Sequence, residues 1–544
     1  MVSSRILILA VVSCLLAAAC GRPAVGPSRE PIVRVGVVLP EDGKRAVDLE
    51  IPAGDYEVST GGSVDRLDFA TLRPATVSLT ASGIQVRIEG AAPLRATEAT
   101  LTLGPRSPRP LARGAGISVR QLVAGRGFHW RKEIDQTLTG ALEFRSCGGS
   151  LAVVNLVSLE DYLAGVITAE MGEDCPLESM KAQAVAARSW FLRRADASRH
   201  GALCDVCNDD CCQRYQGTRA LSERALRAIR ETRGEILVNP DGSICVTSYS
   251  KCCGGMRADP GAIWGHASRG PHPALDAPPE SAAARFVPVT EDNVREWIAG
   301  SWWTETDIFC SPNAVPEEDL PGYLGRVDQP DRYFRWERRY DPQELAGILR
   351  AKAGIRNLHV VEDLRSIARE ASGRITLLEV VYRDGEGQRQ THRIANPHTI
   401  RQQLSESFLY SSAFVVDREV GEDGLPGTII LRGAGWGHGV GLCQIGALGM
   451  ALKGYSYRDI LQHYYPRARL RKPYASSRRK ASSRRRTRGS GRAPSGGARR
   501  APWHPLGPPP RRATPARPSS RCRAGLSAAR PPRSCRAAPG SGAR

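Results

Sequence analysis

No G-x-S-x-G elbow occurs in this chain of 544 residues, and no reactive-cysteine motif stands out, so a Ser/His/Asp or Cys nucleophile set has no support. No repeat recurs at solenoid spacing. Long apolar runs are scarce too: the run from Ile6 to Leu16 is too short to span a bilayer. Excess charge is missing from the body of the chain. The net charge of +20 invites a nucleic-acid reading until it is located. Of the 76 Lys and Arg, 21 fall in residues 471–544, where none of the 56 Asp and Glu is found, leaving 55 basic against 56 acidic residues elsewhere. A nearly neutral body offers no electrostatic footprint, and no nucleic-acid partner is expected.

What is present is enough apolar residue, 41%, to build real cores in two or three ordinary domains. Residues 1–20 combine Arg5, the short apolar run and the small residues Ala17 to Ala19 before Cys20, and read as a signal peptide. The LAAAC-Gly ending resembles a bacterial lipoprotein signal. Cys20 would then be acylated and anchor the chain to the membrane; ordinary secretion is the alternative. Either way export to the cell envelope is expected, with residues 21–31 as a flexible tether. Residues 471–544, rich in Arg, Pro and Ser, have too little to bury and are expected to be disordered. An anionic polymer or membrane surface would suit this tail, unless it has no selected role.

Period-two alternation with Gly, Pro and Asp punctuation predicts a β-rich region over 32–135, including IVRVGVVLP, ATVSLTA, GIQVRIEG and EATLTLG. GALEFRS and SLAVVNLV lead into the next segment. There Ser158 can cap a helix whose first turn holds Glu160 and Asp161 and which ends near Glu170, where Gly172 can take positive φ. A second helix is expected from Cys175-Pro176, with Leu177, Met180, Ala184, Ala187 and Phe191 as one buried stripe and Lys181, Gln183 and Arg188 off it. A third follows Ser222. Residues 256–315 read as an insertion, 342–416 as mixed helix and strand, and the remainder as a strand, a Gly-rich loop and two short helices. The fold class is α+β.

Fifteen cysteines are many for an exported chain. Cys204, Cys207, Cys211 and Cys212 cluster within nine residues and follow His200, a spacing that lets one loop present zinc ligands. Disulfides are the competing reading, one of them involving Cys252 or Cys253.

The motifs LEDYLAGVITAEM, MKAQAVAARSWFLRR, DVCNDDCCQRYQG, SYSKCCGG and GWGHGVGLCQIGALGMALKGYSYRDILQHYYP stand in an order that resembles the SpoIID/LytB family of peptidoglycan-acting proteins. The resemblance covers about 130–470 and implies a SpoIID-like domain over 136–470 with a substrate cleft. It implies either a lytic transglycosylase cutting glycan strands, with those stripped of stem peptides preferred in one branch, or an enhancer of a partner cell-wall amidase.

The same resemblance places the catalytic acid at the AEM motif, hence at Glu170. The flanking apolar run favours a neutral carboxyl, although a helix N-terminus following it would oppose this, and a merely capping acid is the plainer reading. Glu173 and Asp174 are the backups. The resemblance implies zinc at His200, Cys207 and Cys212; Cys204 could be a fourth ligand that closes the site and makes it structural, and Cys211 beside Cys212 leaves the choice open, since vicinal cysteines rarely both ligate one ion. Tyr249 and Ser250 match the family motif before a Gly-rich turn. Gln183 and Arg188 are binding candidates on the polar side of the second helix. Trp436 could stack on a sugar, with His438 and Gln444 as polar contacts, although His438 could equally brace the loop.

Overall fold

A computed structural model of the chain describes residues 29–60, 63–96, 100–107, 109–127, 131–194, 200–265, 274–325, 332–421 and 426–474. The expected signal peptide over 1–20, with Cys20, and the tail beyond residue 474 lie outside them. Helices and strands mix throughout, and the fold is α+β.

Two sheets form the first half. A seven-stranded sheet runs in the order Val206–Cys207, Ile32–Val38, Ser150–Ser158, Ala141–Cys147, Thr100–Pro105, Gly54–Ser59, Val64–Phe69. A six-stranded sheet runs Lys132–Leu138, Ile117–Ala124, Ala46–Ile51, Arg73–Thr80, Gly83–Ile88, Leu94–Ala96. Alternation explains the half-buried strands: Ala46–Ile51 buries Val47, Leu49 and Ile51 and exposes Ala46 and Asp48. Ser150–Ser158, in contrast, is buried without a break from Leu151 to Asn155, as a strand covered on both faces must be. Val35, Val58, Val77, Leu103 and Val119 of these strands share one core with the helices that follow.

The boundary expected at 135/136 is not a break in the sheet. Ile32–Val38 pairs antiparallel with Ser150–Ser158 and parallel with Val206–Cys207, so the first strand braces the cysteine-bearing loop. The end expected at 470 also moves. Arg469–Arg471 pairs with Ile236–Val238, and Tyr474 is buried.

Helix α1, Leu159–Glu170, is capped by Ser158, whose hydroxyl accepts from the Asp161 amide at 3.3 Å, and Gly172 takes φ +46° beyond its end. Helix α2, Leu177–Arg194, departs from the expected single stripe: every residue from Ser179 to Phe191 is buried. It is the central helix, packed by α1, by helix α3 (Glu223–Glu231), and by the Gln444–Leu452 and Tyr457–Tyr464 helices. A helix covered all round cannot offer a polar face to solvent.

The segment 256–315 is woven into the molecule rather than inserted. Ala277, Ala283, Ile308, Phe309 and Cys310 join the main core, while Met256, Phe286 and Trp297 form a smaller one with Ala434. Beyond it, the Pro342–Ala353 helix and two three-stranded sheets, Leu358–Arg369/Ile375–Asp384/Arg389–Ala395 and Arg335–Tyr340/Pro426–Ala434/Phe414–Val420, enclose a second large core.

A two-residue parallel pair, Tyr249–Ser250 with Leu442–Cys443, joins distant parts of the chain. Gly441 makes the approach possible: its φ is +77°, and a Cβ there would strike the Ser248 carbonyl. Gly441→Ala should cost about 1–3 kcal/mol through strain and displaced pairing, read as a lower denaturation midpoint. An unchanged midpoint would mean that the pair bears no weight.

Candidate functional site

Glu170 is the last residue of α1, half-buried, with its carboxylate where three separate segments converge. The Arg214 amide donates to Oε1 at 3.1 Å and the Gln444 side-chain amide to Oε2 at 3.2 Å, while the Lys251 ammonium caps the Glu170 carbonyl at 3.1 Å. Burial pushes the Glu170 carboxyl above the ordinary range; Arg214 opposes this and Asp210 reinforces it. The C-terminal end of a helix also disfavours a negative charge. The outcome is a carboxyl whose hold on its proton is strengthened while solvent still reaches it, the direction a general acid needs. The backups Glu173 and Asp174 are exposed, and Glu173 pairs with Arg113.

Arg214 is itself held by Asp210 through two bonds of 2.9 Å. Neither residue, nor Lys251, was singled out in the sequence, although all lie inside the motifs quoted. The available signal was charge beside chemistry: Asp210 and Arg214 are four residues apart, and Lys251 directly follows Ser250.

The binding candidates divide. Gln444 reaches Glu170. The Tyr249 phenol, the Ser250 hydroxyl and both amide atoms of Gln183 are buried without a hydrogen-bond partner, a state that calls for a ligand or water. Burial, and after it the charge of Glu170, pushes the Tyr249 phenol well above its ordinary value. Trp436 is half-buried and flanked by Tyr410 at 4.6 Å and Tyr333 at 5.0 Å between ring centroids. His438 has a bond within its own loop: its Nδ1 accepts from the Val440 amide at 3.0 Å, and burial, then the Arg401 and Arg374 charges, lower its pKa to about 3. It is a neutral imidazole at physiological pH.

Arg188 is a correction. Its guanidinium is fully buried, donating to both oxygens of Glu160 at 2.9 and 2.7 Å and to the Glu235 carbonyl at 3.0 Å. Its donors are spent inside the fold, on Glu160 and the Glu235 carbonyl.

The cysteine loop regroups as well. His200, Cys207, Cys211 and Cys212 bring their donor atoms within 4.8 Å of one another, with Cys207 Sγ 2.9 Å from Cys211 Sγ and Cys212 Sγ 3.6 Å from His200 Nε2. Cys204, expected as the fourth ligand, is outside this group of donor atoms: it packs with Leu39, Val154 and Cys207 and lies over Gly36. Cys211 is the fourth member of this group, because the tight turn after Asp209 folds the vicinal pair back toward Cys207. Three thiols and an imidazole fit tetrahedral zinc.

Residues 147–239 match the family described as Stage II sporulation protein, and residues 311–441 a domain of unknown function, DUF8618. The chain is 26% identical over 330 residues to an uncharacterized protein of Brachyspira hyodysenteriae, covering 60% of this chain and 70% of that one. It is 26% identical over 328 residues to the stage II sporulation protein D of Bacillus amyloliquefaciens, covering 57% and 74%. It is 24% identical over 319 residues to the amidase enhancer of Bacillus subtilis, covering 56% and 39%. The matched domain, which holds Glu170 and the cysteine loop, and these relatives agree with the order of the motifs: the chain carries a SpoIID/LytB-family domain.

Proposed function

We propose that this chain is an exported, lipid-anchored lytic transglycosylase that cuts peptidoglycan glycan strands with Glu170 as its single acid/base. The coarser statement, a role in the cell wall, rests on the family and on the names of two relatives. The observation behind the finer one is the Glu170 carboxyl, raised by burial and gripped by the Arg214 and Gln444 donors where solvent still reaches it.

Glu170 in its neutral form gives its proton to the leaving glycosidic oxygen as the bond to C1 breaks. As carboxylate it then takes the proton of the same sugar's C6 hydroxyl, whose oxygen closes on C1 to form a 1,6-anhydro ring without water. Its two hydrogen-bond donors stabilise the anion between these steps. Sugar hydroxyls would be held by Tyr249 and Ser250. Zinc on His200, Cys207, Cys211 and Cys212 would do no chemistry; it would fix the loop that aims the Arg214 amide.

The test is mass spectrometry of purified glycan strands, with and without stem peptides, after incubation with the protein. Release of 1,6-anhydro ends is the expected result. Their absence on both substrates, with folded and metal-replete protein, would leave a non-catalytic enhancer of a cell-wall amidase; the Bacillus subtilis relative is named an amidase enhancer. For the metal, Cys212→Ser should lose one equivalent of zinc in elemental analysis and Cys204→Ser none; equal loss would return Cys204 to the ligand set.

A further inference from the structure

A second group of sulfurs lies outside the cysteine loop. Cys253, Asp276, Cys310 and Cys443 bring one donor atom each within 4.8 Å of one another, and all four residues are buried. Cys253 Sγ is 3.6 Å from Cys310 Sγ and 3.3 Å from Asp276 Oδ2. Cys252 touches the same nest through Cys310 and Cys443. We propose that Cys253, Cys310, Cys443 and Asp276 form a second, closed zinc site that fastens the wall behind Glu170.

Four features beyond the cysteine count support it. The donor set is sulfur-rich and sealed from solvent, as structural zinc requires. The carboxylate is oriented from behind: Tyr464 donates to Asp276 Oδ1 at 2.7 Å and His463 Nε2 lies 3.3 Å from it, the outer partners that ligating carboxylates have. Cys443 stands at the N-cap of the Gln444–Leu452 helix, where its sulfur accepts from the Gly446 amide at 3.3 Å and from the Cys253 amide at 3.2 Å. A thiol is a poor acceptor and an unusual cap, whereas a metal-bound thiolate is suited to both. Finally, the guanidinium of Arg374, buried at 1% exposure, donates to the Cys253 carbonyl at 3.2 Å, and that of Arg335 donates to the Gly254 carbonyl at 2.9 Å. Zinc binding would release three thiol protons to solvent and leave a doubly negative centre, a counter-charge for these two cations in addition to the Glu370 carboxylate near Arg374.

The placement gives the site a purpose. Cys253 follows the Tyr249–Ser250–Lys251 run, Cys443 precedes Gln444, and Cys310 and Asp276 come from the segment that sequence alone set aside. One ion would clip together the two segments that reach Glu170 from this side. The site stands whether or not Glu170 cuts glycan.

The test uses the full chain carrying Cys212→Ser, which removes the first cluster. Elemental analysis should find one zinc per chain, and replacement by cobalt should give the sulfur-to-metal charge-transfer and tetrahedral visible bands of a thiolate site. Both should vanish on adding Cys310→Ser. Should that variant fail to fold, alkylation of the Cys212→Ser chain in denaturant decides: Cys253, Cys310 and Cys443 should become reactive with a chelator present and no reductant. Labelling that requires reductant, with a Cys253–Cys310 or Cys253–Cys443 crosslink in peptide maps, would overturn the proposal, as would a metal-free Cys212→Ser chain.

Discussion

Glu170→Gln should abolish release of 1,6-anhydro ends while leaving the protein folded. Positioned proton transfer contributes about 10²–10⁴-fold to a rate, and an amide can neither protonate the leaving oxygen nor accept the C6 proton. Because a single group serves both steps, the loss should sit at or beyond the upper end of that range, measured as the rate of anhydro-end formation by mass spectrometry. Stability separates this reading from the plain one. A carboxylate at a helix C-terminus, raised by burial, works against folding at neutral pH, so Glu170→Gln should keep or raise the thermal midpoint. A lowered midpoint with a rate within a few-fold of wild type would make Glu170 a structural acid. The pH dependence has a defined sign as well. The acid acts protonated, so the rate should fall as pH rises through the raised pKa of Glu170. Lys251 lowers that pKa, and Lys251→Gln should move this limb to higher pH.

Local signals carried the sequence reading a long way. Ser158, the acids in the first turn and Gly172 placed α1, and with it Glu170 at the helix end, because each acts within a few residues. Ser222 and Gly234 did the same for α3. What depends on distant chain was not legible. IVRVGVV is plainly a strand, yet nothing in it announces Ser150–Ser158 on one side and Val206–Cys207 on the other. The stripe on α2 was real but incomplete, because five other elements cover the rest of that helix. Spacing alone leaves open whether Cys204 or Cys211 joins His200, Cys207 and Cys212; a turn after Asp209 decides which sulfurs meet. The same limit hid the second sulfur nest, whose members stand 57 residues apart between Cys253 and Cys310 and 190 between Cys253 and Cys443.

Arg188→Ala should be the most damaging substitution outside the site. Glu160 and Arg188 are sealed from solvent and bonded twice to each other, with Glu160 also accepting from Tyr474 at 2.7 Å and from the Gly234 amide at 3.2 Å. Removing one member leaves the other charge buried and unpaired, a loss of about 3–5 kcal/mol. At roughly 2–4 °C per kcal/mol for a domain of a few hundred residues, the thermal midpoint should drop on the order of 10 °C. Replacing both, as Glu160→Leu with Arg188→Met, should recover much of this, since the pair's desolvation cost goes with it. The linkage to pH follows from Glu160. Burial alone would raise its pKa, but the Arg188 charge and the three donors outweigh burial and set it below the ordinary carboxylate value. A depressed pKa contributes stability above the unfolded-state value and loses it as pH falls through the folded-state one. The gap in midpoint between wild type and Arg188→Ala should therefore be full at neutral pH and narrow only in acid. If Arg188→Ala instead kept its midpoint and weakened glycan binding, Arg188 would face the ligand after all, and the buried pair would not be what joins α1 to α2.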